Sequence, residues 1–108
     1  MEILTRTEEI ILLTVYQLEG EAYGLTIRKF IEDKIGKKFS VGAIYVPLER
    51  LVKKGFLTSY LGEPLPERGG RSKRFYQITI DGVKALKETK QINEALWAGV
   101  STLTFKPG

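Results

Sequence analysis

The sequence contains no cysteine and no histidine, and its 108 residues include one tryptophan, one methionine and four prolines. Without cysteine there are no disulfides and no thiolate metal sites, and without histidine the commonest general base and the imidazole ligand are missing as well. Most enzyme mechanisms thereby lose their usual parts. The carboxylates do not replace them. Glu8 and Glu9, like Glu32 and Asp33, are neighbours on stretches of helical periodicity, and residues one apart on a helix point about 100° apart rather than converging on a substrate. Gly69-Gly70 sits in neither a dinucleotide fingerprint nor a phosphate loop ahead of a helix. The expectation is a protein with no catalytic residues, no metal and no cofactor.

Long apolar runs are also missing. No window approaches the roughly 18 apolar residues of a membrane span. The first 20 residues begin with an acid and end their apolar run in Glu19-Gly20-Glu21, unlike a signal peptide. A cytoplasmic protein without membrane contact is expected. A chain of this length suits one domain with a modest core, a size that often relies on a second subunit.

The charge is uneven. Seventeen cations against 13 anions leave +4, and Arg68, Arg71, Lys73 and Arg74 contribute four cations and no anion within one short segment. The remainder is balanced, so the excess is local and suits a directed anionic contact more than general basicity.

Helical signals occupy the first half. "TRTEEIILLTVYQLEG" opens with a capping box, Thr5 to Glu8, and runs apolar through Leu18 to a glycine. "YGLTIRKFIEDKIG" spaces Ile27, Phe30, Ile31 and Ile35 on one face before Gly36. "SVGAIYVPLERLVKKG" has Ser40 as N-cap and repeats the spacing at Ile44, Leu48, Leu51 and Val52. The short link from Gly36 to Phe39 makes the second and third helices a helix-turn-helix candidate, its recognition helix at about 41–54. The pattern then changes to "FLTSYL" and "KRFYQITI", rich in aromatic and β-branched residues, with the 11 residues "GEPLPERGGRS" between them. These read as a hairpin with a long basic wing at 62–74. After Thr79 a single helix of about 20 residues follows, about 30 Å long, and the tail "STLTFKPG" has no periodicity.

The order predicts a mainly α fold with a small β-hairpin (α+β), a winged helix-turn-helix with a long C-terminal helix. Its divisions are a DNA-binding domain at 1–80, a dimerisation helix at 81–100 and a flexible tail at 101–108. Arginines present a bidentate fork to phosphate and glycines allow close backbone approach, which assigns Arg68, Arg71, Lys73 and Arg74 to duplex DNA. Ser40, Gly42, Ala43 and Tyr45 lie at the leading end of the third helix, where small residues and free amides admit phosphates or base edges. Tyr45 itself reads equally as a phosphate donor or a core-edge tyrosine. Arg50, Lys53 and Lys54 read as a solvated helix end.

Along the last helix, Leu86, Ile92, Leu96, Trp97 and Val100 extend the apolar pattern beyond what a small winged helix covers, which points to a homodimer. Trp97 reads as an interface anchor, with stacking on a small planar hydrophobic effector as the sharper alternative. Two other readings stay open: a winged-helix module that binds an acidic or hetero-partner protein, and a small-ligand sensor without autonomous DNA affinity.

"AYGLTI", "GAIYVPLERLVKKGFL" and "GGRSKRFYQITIDGVKAL" together resemble the PadR family of winged-helix transcriptional regulators, from about Thr5 to Val100. The resemblance implies a homodimeric repressor with its third helix in the major groove, a wing on the adjoining backbone or minor groove, and a C-terminal helix that dimerises. Tyr45 matches the family's helix tyrosine, Arg71, Lys73 and Arg74 its basic wing stem, and Tyr76 the aromatic that closes the hairpin. The usual Tyr-Pro order is here Tyr45-Val46-Pro47, which predicts a kink in the third helix and base readout from residues ahead of it. The C-terminal region is short, with one long helix rather than a larger helical domain, so a substantial separate ligand-binding domain is not expected.

Overall fold

Helices begin here where the sequence supplies a cap. Thr5 Oγ1 accepts the Glu8 amide at 3.1 Å while Glu8 Oε1 accepts the Thr5 amide at 2.9 Å, and helix α1 (Arg6–Leu18) follows. Helix α2 (Gly24–Ile35) starts with the Tyr23 amide donating to Thr26 Oγ1 at 2.9 Å, and stops at Gly36, which takes the left-handed φ of 68° that glycine adopts without cost. Ser40 Oγ accepts the Ala43 amide at 3.1 Å to open helix α3 (Val41–Lys53). Thr79 Oγ1 accepts the Gly82 amide at 3.0 Å to open helix α4 (Ile80–Trp97). Between α3 and α4 lie strands β1 (Leu57–Leu61) and β2 (Arg74–Ile78). The computed structural model describes residues 3–63 and 72–107.

The core is the intersection of three helical stripes with one face of the hairpin. Ile11, Leu12 and Val15 from α1, Ile27 and Ile31 from α2, and Ile44, Leu48 and Leu51 from α3 are buried against Leu57 and Tyr76. Arg28 Nε donates to the Phe39 carbonyl at 3.1 Å, so α2 holds the turn that aims α3. Although Pro47 lies inside α3 and is buried, the helix continues through it to Lys53. Proline is thus accommodated within the helix rather than at its end. What proline removes is the amide that would bond the Ala43 carbonyl.

β1 and β2 pair antiparallel, Leu57 opposite Ile78 and Leu61 opposite Arg74. With a side-chain period of two, Leu57, Ser59, Tyr76 and Ile78 share the face toward the helices, and Thr58, Tyr60, Phe75 and Gln77 share the outer face. The Tyr76 amide also donates to the Ala22 carbonyl at 2.9 Å, stitching the turn between α1 and α2 to the hairpin.

The Thr79 amide donates to the Phe56 carbonyl at 3.1 Å and Thr79 Oγ1 to the Gly55 carbonyl at 2.7 Å. Gly82 packs so closely on the Phe56 carbonyl that a Cβ there would overlap it. These contacts fix the start of α4. Leu86 packs on the core, but farther along Leu96 is 74% and Trp97 58% exposed. The chain measures 61 × 29 × 21 Å with a radius of gyration of 16.6 Å, against about 13 Å for a compact domain of this length. Among the described residues no helix is long and apolar enough to cross a membrane.

Candidate nucleic-acid interface

The leading turns of α3 form an uncrowded, solvent-facing end. Ser40, Val41, Gly42, Ala43, Tyr45 and Val46 are exposed while Ile44, Pro47 and Leu48 are buried. No acidic residue occupies this first turn, so the positive end of the helix dipole is not neutralised locally. Because Ser40 Oγ accepts from Ala43, its own O–H proton is available to point outward.

Tyr45 packs against a neighbouring helix and keeps part of its surface open to solvent. Its ring and hydroxyl lie directly over Gly24, where a Cβ would overlap them, so it braces α3 on the first turn of α2. It nevertheless stays 39% exposed. The pairing explains why glycine follows Tyr23 in "AYGLTI".

The wing cations occupy different surroundings. Arg68 and Arg71 fall outside the described residues. Arg74 is exposed and donates from Nη1 to Ser59 Oγ at 3.2 Å, on the hairpin face toward the helices. Lys73 stands on the outer face, its ammonium 4.3 Å from the centre of the Tyr23 ring and donating to Tyr23 Oη at 3.2 Å. Tyr23 meets Phe75 edge-on at 5.3 Å, and Phe75 stacks on Tyr60 at 5.6 Å. This aromatic ladder was not legible in the sequence, because Tyr23 arrives from the other side of the chain. The alternation of "KRFY" was the only local sign of an outward aromatic.

A second feature hidden from the sequence lies beneath α3. The Glu8 carboxylate is fully buried, and its Oε2 accepts Arg50 Nε and Lys54 Nζ, each at 2.9 Å. Arg50 and Lys54 are thus drawn to an internal carboxylate from α1, which corrects the reading of them as a solvated helix end. Burial by itself raises the carboxyl's pKa, but the Thr5 amide and the Lys54 and Arg50 donors outweigh it and hold the group at about 2 rather than 4.5. Tyr76 has the opposite balance. Its hydroxyl is buried without a hydrogen-bond partner among the described residues, and burial, followed by the charges of Glu49 and Tyr45, pushes its pKa up.

The residues expected along α4 separate onto two sides. Leu86 and Trp97 line a groove of about 480 Å³ between α1 and α4, together with Leu13, Tyr16 and Val83. Ile92 lies on the other side, in a smaller cavity with Leu4 and Phe56. Leu96 and Val100 are exposed.

A helix-turn-helix whose second helix has a free leading end, closed by a two-stranded wing, defines the winged helix-turn-helix class. The sequence matches the transcriptional regulator PadR-like family over residues 11–88, and the chain belongs to that family, whose members are transcriptional regulators rather than enzymes. Among solved structures, a transcriptional regulator from Clostridium thermocellum is 28% identical, with 88% of this chain and 92% of that one covered at a TM-score of 0.67. A PadR-like regulator from Bacillus cereus is 27% identical, covering 86% and 85% at a TM-score of 0.70. A PadR family regulator from Eggerthella lenta is 27% identical, covering 84% and 77% at 0.69. A search among curated proteins finds no significant match.

Proposed function

We propose that this chain is a homodimeric repressor that binds a specific duplex site, with α3 in the major groove and the wing on the adjoining backbone or minor groove. The observation that carries the reading is the division of α3 into a buried stripe and a bare leading end. Ser40, Gly42, Ala43 and Tyr45 are exposed together there, on a helix held in place by its other face. In this reading Ala43 and Gly42 admit base edges, Ser40 and Tyr45 donate to phosphate, and Arg74, with Arg68, Arg71 and Lys73, neutralises phosphates. Lys73 must leave the Tyr23 ring or contact phosphate from that position.

Two-fold symmetry suits paired half-sites about 34 Å apart, and the bare apolar positions at the end of α4 and just beyond it, Leu96, Trp97 and Val100, supply the dimer surface. The groove beside Trp97, about 480 Å³, is of a size that takes small ligands, which supports a planar hydrophobic effector as a regulator of the same dimer.

The test is a titration of duplex from the protein's own upstream region, against a shuffled duplex, at several salt concentrations. Preference for the native duplex that persists as salt rises is expected. Arg74→Ala should weaken both duplexes alike and flatten the salt slope by about 0.9 for each phosphate the variant no longer neutralises. Weak binding to both that salt abolishes would overturn the reading in favour of a module that meets an acidic protein.

A further inference from the structure

Tyr23 and Gly24 hold two separate parts of the candidate interface on consecutive residues. Gly24 seats the ring and hydroxyl of Tyr45 from α3. Tyr23 turns instead to the hairpin, its backbone paired with Phe75 as an isolated antiparallel bridge and its ring edge-on to Phe75 at 5.3 Å. Just before it the Ala22 carbonyl accepts the Tyr76 amide at 2.9 Å, and the Tyr23 amide itself donates to Thr26 Oγ1 at 2.9 Å. The backbone that carries the Tyr23 ring is therefore fixed from both directions.

Lys73 stands against that ring, its ammonium 4.3 Å from the ring centre and donating to Tyr23 Oη at 3.2 Å. Its backbone is held as well, since the Lys73 carbonyl accepts the Gly62 amide at 2.8 Å. Arg50 and Lys54 differ from it in charge balance. Those two meet the buried Glu8 carboxylate, which offsets their charge, whereas a tyrosine ring is neutral and leaves an ammonium fully cationic. Among the described residues no carboxylate pairs with Lys73. An ammonium has three N–H donors, and with one on Tyr23 Oη the others remain for a ligand. A free lysine stem loses rotamer freedom when it is immobilised on an anion. One already held over a ring has given up part of that freedom beforehand.

We infer that Tyr23 is a positioning residue of the wing: it holds the Lys73 ammonium in place to meet a DNA backbone phosphate without leaving the ring. This role depends on the DNA-binding reading above and selects, within it, the second of the two courses open to Lys73. Because Gly24 beside it braces Tyr45, the wing cation and the leading end of α3 are set from one short piece of backbone.

Duplex affinity measured for Tyr23→Leu, Lys73→Met and the double variant tests this role, with circular dichroism checking each fold. Tyr23→Leu should weaken binding by about two- to fivefold, the range for a cation over a ring at an exposed site. Tyr23→Phe keeps the ring face and should recover most of that loss. In the Lys73→Met background Tyr23→Leu should cost nothing further, because its effect passes through the ammonium. An equal loss in both backgrounds would overturn the positioning role and leave Tyr23 a support of the hairpin alone. Lys73→Met should also flatten the salt slope by about 0.9, the contribution of one phosphate, and an unchanged slope would remove the phosphate contact. NMR of the wild type gives a reading that needs no variant. Ring current shields a methylene that lies over an aromatic face, so the Lys73 ε-methylene should be shifted upfield in the free protein and stay so on the duplex. Its return to the ordinary position on binding would mean that Lys73 leaves the ring, which overturns the inference with the DNA reading intact. Failure of the wild type to bind duplex would overturn the DNA reading and this role with it.

Discussion

At the scale of single residues, Glu8 joins two levels of structure. One carboxylate oxygen completes a local capping box with the Thr5 amide, and the other gathers Arg50 and Lys54 from the far end of α3. The helix that carries the exposed leading turns is thereby tied at its opposite end to α1. Its pKa of about 2 lies below the ordinary 4.5, so the ionised form stabilises the fold above that ordinary value. A shift of this size is worth about 3 kcal/mol. That stability is lost progressively as pH falls from about 5 through 2. Glu8→Gln should cost about 3 kcal/mol near neutral pH and make the remaining stability less sensitive to acid. Urea unfolding of both proteins near pH 7 and near pH 3 checks this, and equal acid sensitivity in the two would assign the effect to other carboxylates. The capping-box half of Glu8 was visible as Thr5-x-x-Glu8; the partners 42 and 46 residues away were not, because no local spacing encodes them.

At the scale of elements, α3 has a leading end whose stability and proposed DNA contact can be separated by one position. Ser40 caps the helix through Ala43, and loss of such a cap costs about 1 kcal/mol. Ser40→Ala should show that cost in thermal unfolding. Ser40→Asp retains the capping oxygen and adds a charge that the helix dipole favours, so its stability should match the wild type. The same carboxylate would face the phosphates, so its affinity for duplex DNA, read by fluorescence anisotropy, should fall by at least about tenfold, or 1.4 kcal/mol. Undiminished binding by a stable Ser40→Asp protein would remove this end of α3 from the interface. The hairpin shows the limit of element-level reading. Its strands and the residues between them followed from β-branched and aromatic runs with glycine and proline between, but Tyr23 joining Phe75 and Lys73 required the fold to bring the start of α2 to the outer face of β2.

At the scale of the molecule, the elongation matters most. In the second half of α4 Asn93 still donates to Glu9 of α1, but at its end Leu96 and Trp97 remain open to solvent. Such an end is stable as a helix only when its apolar side is covered. Leu96→Asp should leave the winged-helix body folded, yield a monomer in sedimentation, and lower affinity for a two-half-site duplex by about 100-fold or more, since each half would then bind without the other's effective concentration. A dimeric Leu96→Asp protein would move the dimer surface away from the end of α4.

The sequence by itself determined the caps, the helical stripes, the hairpin and the order that makes a winged helix, because each of these is written in residues three to five apart or in simple alternation. It also determined where cations concentrate. The tertiary structure decided what the charges do: it turned Arg50 and Lys54 inward to Glu8, set Lys73 against Tyr23, and left Arg74 exposed. It likewise sent Ile92 and Trp97 to opposite sides of α4 and laid Tyr45 over Gly24. Each of these depends on how two distant elements approach one another, and burial and long-range pairing are properties of that approach rather than of any stretch of chain.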